Sequence, residues 1–128
     1  METAESNRPD PLVVDVFARA CTSRVTLQHL TGRWGVLALA ALADGPYRFS
    51  ALRRRVDGVS ERMLAQTLQT LERDGFVHRE VLEAIPPHVE YSLTGLGRDV
   101  AAQMLPLIEL VESRMPEVEA ARRAYDSS

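Results

Sequence analysis

The sequence contains no lysine and a single cysteine, Cys21. One cysteine excludes an intrachain disulfide and a cysteine-rich zinc site, which is typical of a protein from a reducing compartment. The longest nearly uncharged stretch, from Trp34 to Ala43, is about half the roughly 20 residues that a membrane helix needs. No apolar leader with a cleavage site of small residues opens the chain, so we expect a cytoplasmic protein with no membrane partner.

Residue patterns for catalysis and for cofactor binding are also missing. The three histidines lie far apart without metal-ligand spacing, and His29, on an apolar helix, is better explained as a satisfied core residue than as a ligand. There is no glycine-rich phosphate loop, no carboxylate pair placed for acid–base chemistry and no nucleophile beside a base. We therefore predict a protein that is not an enzyme and that uses no metal or cofactor.

Charge is distributed unevenly along the 128 residues, a length that suits one domain with one small core. All 15 basic residues are arginine, and seven of them fall between residues 48 and 79. That segment has a net charge of +3, whereas the whole chain has a net charge of −3. A basic middle on an acidic body indicates a local surface for an anionic partner.

The spacing of apolar residues and of turn signals predicts a fixed order of elements. Residues 1–12 are expected to be a flexible arm, and residues 13–125 one domain. The predicted elements are helices over 13–20 and 22–30, a buried helix over 34–42, an edge strand at 47–49, a helix over 51–56 capped by Ser50, a helix over 61–74 capped by Ser60, strands over 77–83 and 88–93, and a helical region from Thr94 to about Ala124 that Pro106 kinks or divides. This order is that of a winged helix-turn-helix domain, a mostly helical α+β fold. Its two-stranded wing would span about 77–93, and its dimerisation helices about 13–30 and 95–124.

The helix predicted over 61–74 has two different faces. Leu64, Leu68 and Leu71 recur four and three residues apart, as core residues of an amphipathic helix do. Arginine and glutamine side chains can bond the edges of guanine and adenine in the major groove of DNA. Such side chains occupy the opposite face: Arg62, Gln66, Gln69 and Arg73. The pattern predicts a DNA-recognition helix, although a polar stripe also occurs on an ordinary solvated helix.

Positions on these elements indicate how each residue would meet DNA. Residues near the start of the recognition helix are expected to reach bases: Ser60, Arg62, Met63 and Gln66. Gln69 and Arg73 would lie at the edge of the groove or at phosphates. Residues at or near the preceding helix and in the wing would contact flanking phosphates and the minor groove. The alternative is that they are ordinary surface residues. They are Arg48, Ser50, Arg53, Arg54, Arg79 and His88.

Several ordered motifs also resemble a known family. They are Cys21, Gly32-Arg33-Trp34, Gly45-Pro46, Arg48-Phe49-Ser50, Gly58-Val59-Ser60-Glu61-Arg62, Leu71-Glu72-Arg73-Asp74-Gly75-Phe76, Pro86-Pro87 and Val89-Glu90-Tyr91-Ser92-Leu93-Thr94. Together they resemble the HxlR-type bacterial transcriptional regulators, a winged-helix group near the MarR type. The resemblance implies a homodimeric DNA-binding repressor or activator whose terminal helices form the dimer, with a cysteine that senses electrophiles or oxidants in some members. Thr22 stands where the family usually has proline, and no tryptophan closes the last helix.

Cys21 has two interpretations. It is either a small buried hydrophobic residue, or a thiol activated by a helix N-terminus and by Arg19 and Arg24. Without a second cysteine, oxidation would give a sulfenic acid, a mixed disulfide with a small thiol, or a bridge between two subunits.

The last helical region carries more apolar surface than one small domain can cover, which predicts a dimer interface. Its residues are Val100, Met104, Leu107, Ile108 and Val111. The sequence therefore predicts a homodimeric, sequence-specific regulator, a repressor, that binds a pseudo-palindromic DNA operator and responds to an oxidant or a small-molecule inducer. The alternatives are a winged-helix module for protein association and a regulator that binds a small apolar ligand between dimer helices.

Overall fold

The computed structural model describes residues 15–128. The arm predicted for residues 1–12 and the start of the helix predicted from Val13 lie outside the described residues. The elements are α1 Thr22–Thr31, α2 Arg33–Leu42, β1 Tyr47–Arg48, α3 Phe49–Arg55, α4 Glu61–Arg73, β2 Val77–Leu82, β3 His88–Leu93, α5 Gly95–Ser113 and α6 Met115–Ser127. This mostly helical arrangement with a small antiparallel sheet confirms the winged helix-turn-helix fold. Among these helices, none is long and apolar enough to cross a membrane.

The core forms around α2, which packs against α1, α3, α4 and α5. Its Leu39 is fully buried, as expected for a helix that is apolar nearly all round. Leu64, Leu68 and Leu71 of α4 are also fully buried. Burial of one such side chain stabilises the fold by roughly 1.5–3 kcal/mol. The leucine face therefore fixes the rotation of α4 and turns the opposite face outward.

The wing is the antiparallel pair of β2 and β3, in register from Val77 opposite Leu93 to Leu82 opposite His88. The edge strand expected from the sequence is β1, which pairs with β3 and gives the strand order β1-β3-β2. Residues 83–87 connect the two long strands. This segment contains two prolines, which lack the N–H that strand pairing needs, so the pairing does not continue through it.

Residues 15–20 form turns, so the prediction of a helix continuing to residue 20 is wrong for this part. The Asp15 side chain accepts a hydrogen bond from the Phe17 N–H at 3.0 Å, and the Asp15 carbonyl accepts one from the Ala18 N–H. Aspartate commonly competes with a helix in this way. Phe17 is exposed, so the apolar spacing does not mark a buried face. The first helix therefore begins at Thr22.

Ser50 does not cap α3, contrary to the sequence-based prediction. The helix begins at Phe49, with Arg48 as its N-cap residue and no side-chain cap. The Phe49 ring packs against the core and lies 6.5 Å from the Tyr91 ring, measured between centroids. This packing outweighs the local preference of serine for the cap position.

Pro106 does not divide the last helical region. α5 continues through it to Ser113, and the break comes at Arg114, followed by α6 with Pro116 in its first turn. Proline removes one backbone hydrogen bond, that to the carbonyl of Ala102. Both residues are exposed, so water can bond the freed carbonyl. α6 also extends to Ser127, beyond the end at 124 expected from the sequence.

Candidate nucleic-acid interface

The helix-turn-helix consists of α3 and α4, joined by residues 56–60. Ser60 caps α4, because its Oγ accepts a hydrogen bond from the Met63 N–H at 3.0 Å. Glu61 places a carboxylate in the first turn, where the helix dipole favours negative charge. At the other end, Gly75 has a φ of 86°, a left-handed conformation that lets the chain leave the helix toward β2. Both ends of α4 are thus defined by local chemistry.

The face of α4 opposite the buried leucines is polar and open to solvent. Its four predicted DNA-contacting side chains are all exposed, and within residues 15–128 none of them forms an ion pair. Their guanidinium and amide groups are therefore available for the edges of bases. These residues are Arg62, Gln66, Gln69 and Arg73. Met63, 40% exposed, lies beside them and adds an apolar contact surface.

Arg53 and Arg54 of α3 are exposed beside the turn that leads into α4. Together with Ser60 they line an open hollow at the N-terminus of the recognition helix. This position suits phosphate contacts that flank a groove. Arg55, the third arginine of the run, faces a different hollow that also includes Asp44, in the turn that follows α2. The arginine run therefore divides between two surfaces.

Arg79 and His88, both assigned to the wing contact from the sequence, lie on opposite faces of the wing. Arg79 pairs across the strands with Tyr91, whereas His88 pairs with Leu82. Paired residues share a face and successive residues alternate. Arg79 and His88 therefore do not form one contact surface.

Arg48 lies on the face of the sheet that also carries His88. It pairs with Glu90 of β3, and Glu90 pairs in turn with Glu80 of β2. The carboxylate of Glu90 on the neighbouring strand, with that of Glu80 one strand further, weakens the positive potential at Arg48. Ser50 is exposed in the first turn of α3, one of the two helices of the helix-turn-helix.

Cys21 is the N-cap residue of α1 and is only 6% exposed. Its Sγ lies 2.9 Å from Ser23 Oγ. This hydrogen bond is the main cause that lowers the pKa of the Cys21 thiol, and hydrogen bonds from the backbone N–H groups of Arg24 and Ser23 lower the pKa further. Burial and the Asp15 carboxylate act in the opposite direction and raise the pKa. The Arg24 guanidinium instead donates to the Phe17 carbonyl at 3.2 Å. Cys21 is thus both buried and polarised toward the thiolate.

The residues predicted to form a dimer interface divide into two groups. Val100 packs against the core and Met104 is buried in it, so little of either remains for a partner. Leu107 is 60% exposed and Val111 48%, and with the half-buried Ile108 they line an apolar hollow of about 360 Å³. Within the part of the chain that the structure describes, this hollow is uncovered.

A contact that sequence reasoning missed joins α1 to the end of α4. His29 Nδ1 lies 2.6 Å from Asp74 Oδ2, and Asp74 is the C-cap residue of α4. A carboxylate at a helix C-terminus faces the negative end of the helix dipole, and the imidazole N–H offsets this repulsion. The two residues are 45 positions apart. Spacing along one helix carries no signal for such a pair.

Comparison with known proteins agrees with the helix-turn-helix fold described above. The model of the HxlR-like helix-turn-helix family matches residues 29–119. The HTH-type transcriptional regulator YtfH of Escherichia coli (strain K12) is 54% identical over 108 residues, which cover 84% of this chain and 86% of that protein.

Two solved structures extend the comparison. A transcriptional regulator YtfH from Salmonella typhimurium has a TM-score of 0.80 and 53% identity, and the match covers 85% of this chain and 97% of that one. The redox regulator HypR in its reduced form has a TM-score of 0.70 and 39% identity, with coverage of 77% and 97%.

The family match includes α3, α4, the wing and α5. The relatives are transcriptional regulators and not enzymes. The chain therefore belongs to the HxlR-like helix-turn-helix family, whose members are transcriptional regulators built on a DNA-binding fold.

Proposed function

We propose that this regulator recognises a specific DNA sequence by placing α4 in the major groove. The observation that carries the proposal is the composition of the exposed face of α4. It has two arginines, which form no ion pair within residues 15–128, and two glutamines, and it lies directly opposite three fully buried leucines. The buried face prevents rotation of the helix, so the polar face has one fixed direction. Arg62 lies in the first turn after the Ser60 cap, where recognition helices reach bases.

Binding-site selection from a random DNA library, followed by anisotropy measurements on the selected duplex, tests this proposal. Arg62→Ala is expected to weaken binding to the selected duplex by about 1–3 kcal/mol and to relax the base preference at one position per half-site. Arg55→Ala, which removes an exposed arginine from the other surface of α3, serves as the control and is expected to change neither. Equal losses on selected and random duplexes would show that Arg62 contacts only phosphate. No enrichment of any sequence would favour a protein-association module.

We further infer a homodimer that binds a pseudo-palindromic operator. The apolar hollow around Leu107 and Val111 supports it, because uncovered apolar surface of this kind marks an association site. Two-fold symmetry would place the two α4 helices about 34–36 Å apart, one turn of DNA. A dimer over a promoter excludes polymerase, so repression is the expected sign, measured with a promoter–reporter fusion. A small apolar inducer in the same hollow is the alternative occupant, and a ligand-dependent rise in Tm would reveal it.

A second function, response to oxidants through Cys21, is favoured by the Ser23 hydrogen bond that lowers the thiol pKa. The 39% identical protein HypR is a redox regulator. The Cys21 thiolate would add to the N=N bond of diamide, and a second thiol, from glutathione or from another subunit, would displace the hydrazine product and leave a disulfide. Diamide with glutathione is expected to release the protein from its selected duplex, whereas Cys21→Ser stays bound. Release of both proteins to the same extent would remove Cys21 from this role.

A further inference from the structure

A groove of about 380 Å³ lies between α4 and the junction of α1 and α2. Met63 and Gln66, two residues expected to enter the major groove, form part of one wall. Arg33 and Trp34, at the start of α2, form part of the other. None of the residues that line the groove is acidic. The polar face of α4 is thus continuous with a second surface that carries Arg33 and that the contacts assigned to α4 do not use.

Arg33 is exposed, yet its guanidinium has a defined position. The guanidinium carbon lies 4.5 Å from the centroid of the Trp34 ring, a cation–π contact that leaves the N–H donors on the guanidinium edge free. Trp34 is itself held, because it packs against the core and its Cη2 lies 4.0 Å from where a Cβ would stand at Gly58. Among the described residues Arg33 has no ion pair.

Asp74, which follows the last turn of α4, is already engaged. Asp74 is bonded to His29, which lines the same groove. The carboxylate of Asp74 therefore has a partner other than Arg33. The positive charge of Arg33 remains available to an anion from solution.

With α4 in the major groove, the dimensions of DNA would bring a backbone phosphate close to Arg33. The major groove is about 12 Å wide, and an α-helix with its side chains is about 10–12 Å across, so an inserted helix fills the groove. Groups that stand beside such a helix meet the sugar–phosphate backbone at the rim. Arg33 stands beside α4, across the groove from Gln66.

We propose that Arg33, oriented by Trp34, binds a backbone phosphate at the rim of the major groove that receives α4. This inference rests on the proposed function and extends the interface from the helix-turn-helix to the start of α2. The phosphate bond adds affinity that does not depend on sequence. It also limits how α4 can rotate in the groove, because a second point on the protein is attached to the backbone.

The test uses the full-length protein, a duplex obtained by binding-site selection and a random duplex of equal length. Dissociation constants are measured by fluorescence anisotropy between 50 and 300 mM KCl. Arg33→Ala is expected to weaken binding to both duplexes by the same factor, about 3- to 10-fold at the lowest salt. The slope of log K against log salt is expected to fall by about 0.9 for each phosphate that the protein no longer neutralises.

Two further variants separate charge from folding. Arg33→Lys keeps the cation but not the planar stack, so it is expected to keep the slope and lose about 2-fold in affinity. Arg55→Ala removes an exposed arginine that faces the other surface of α3 and is expected to keep both. Thermal unfolding of each variant checks that the fold is intact.

The outcomes distinguish this inference from the proposed function. Wild-type binding to the selected duplex together with an unchanged slope in Arg33→Ala would overturn the role of Arg33 and leave recognition by α4 intact. Loss on the selected duplex alone would make Arg33 a base contact and also overturn the phosphate assignment. Absence of salt-dependent DNA binding by the wild-type protein would overturn both.

Discussion

Replacing Gly97 by alanine is expected to destabilise the protein, because α5 approaches the start of the wing closely at this residue. A Cβ at Gly97 would lie 2.0 Å from the carbonyl oxygen of Phe76 and 3.0 Å from its carbonyl carbon. Ordinary contacts of a Cβ begin at 3.4 Å. Both clashing atoms belong to the backbone and cannot rotate away. The same Phe76 carbonyl accepts a hydrogen bond from the Thr94 N–H at 3.1 Å, so moving it also strains the junction between β3 and α5.

The magnitude follows from two opposing effects. Overpacking typically destabilises a protein by about 1–3 kcal/mol, and a contact of 2.0 Å with backbone atoms places Gly97→Ala in the upper part of that range, at about 2–3 kcal/mol. Alanine recovers at most about 1 kcal/mol through its better helix propensity. We expect a net loss of about 1–2 kcal/mol in the free energy of unfolding.

Gly95→Ala is the matched control, since it lies in the same first turn of α5. Its Cβ would meet only the end of the Arg98 side chain, at 3.8 Å, so we expect no loss and a gain of up to about 1 kcal/mol. Urea unfolding followed by circular dichroism, at one fixed protein concentration, compares the three proteins. A Gly97→Ala protein as stable as the Gly95→Ala protein would refute the steric argument.

Two other substitutions test the association face and the thiol. Leu107→Glu is expected to give monomers in sedimentation analysis, because a charge in the apolar hollow opposes association. The control Val81→Glu, at an exposed site on the wing, should leave the dimer unchanged. A dimeric Leu107→Glu protein would show that the interface lies elsewhere. Ser23→Ala removes the hydroxyl that lowers the pKa of Cys21, so the midpoint of alkylation against pH should move upward and labelling below that midpoint should slow. Ser23→Thr keeps the hydroxyl and should keep the midpoint, and an unshifted midpoint in Ser23→Ala would exclude Ser23 as the cause.

The recognition helix could be predicted closely from the sequence because its local signals agree. A serine cap, a leucine repeat and a closing glycine all indicate the same segment, and α4 ends one residue before the end expected at residue 74. Signals conflict where prediction failed. Asp15 bonds its own neighbours and stops a helix that the apolar spacing favours, and Pro106 is tolerated in a helix because its surroundings are exposed.

The candidate site was predictable only in part. The exposed residues of α4 could be predicted from the helical spacing of apolar and polar residues within that one segment. The neighbourhood of Arg33 and Gln66, and the bond between His29 and Asp74, depend instead on how distant segments pack. The separation of Arg79 from His88 required the strand register, because one residue of offset moves a side chain to the other face of a sheet.

The hydrogen bond between His29 and Asp74 joins the first helix directly to the end of the recognition helix. α1 has ten residues and is therefore about 15 Å long, a stiff rod with Cys21 at its beginning and His29 in its last turn. Its far end is attached to Asp74, the C-cap residue of the recognition helix, so a change in the tilt of α1 would be passed to the C-terminal end of α4. On the proposed function, oxidation of Cys21 would reach the DNA-contacting helix through α1 and this hydrogen bond.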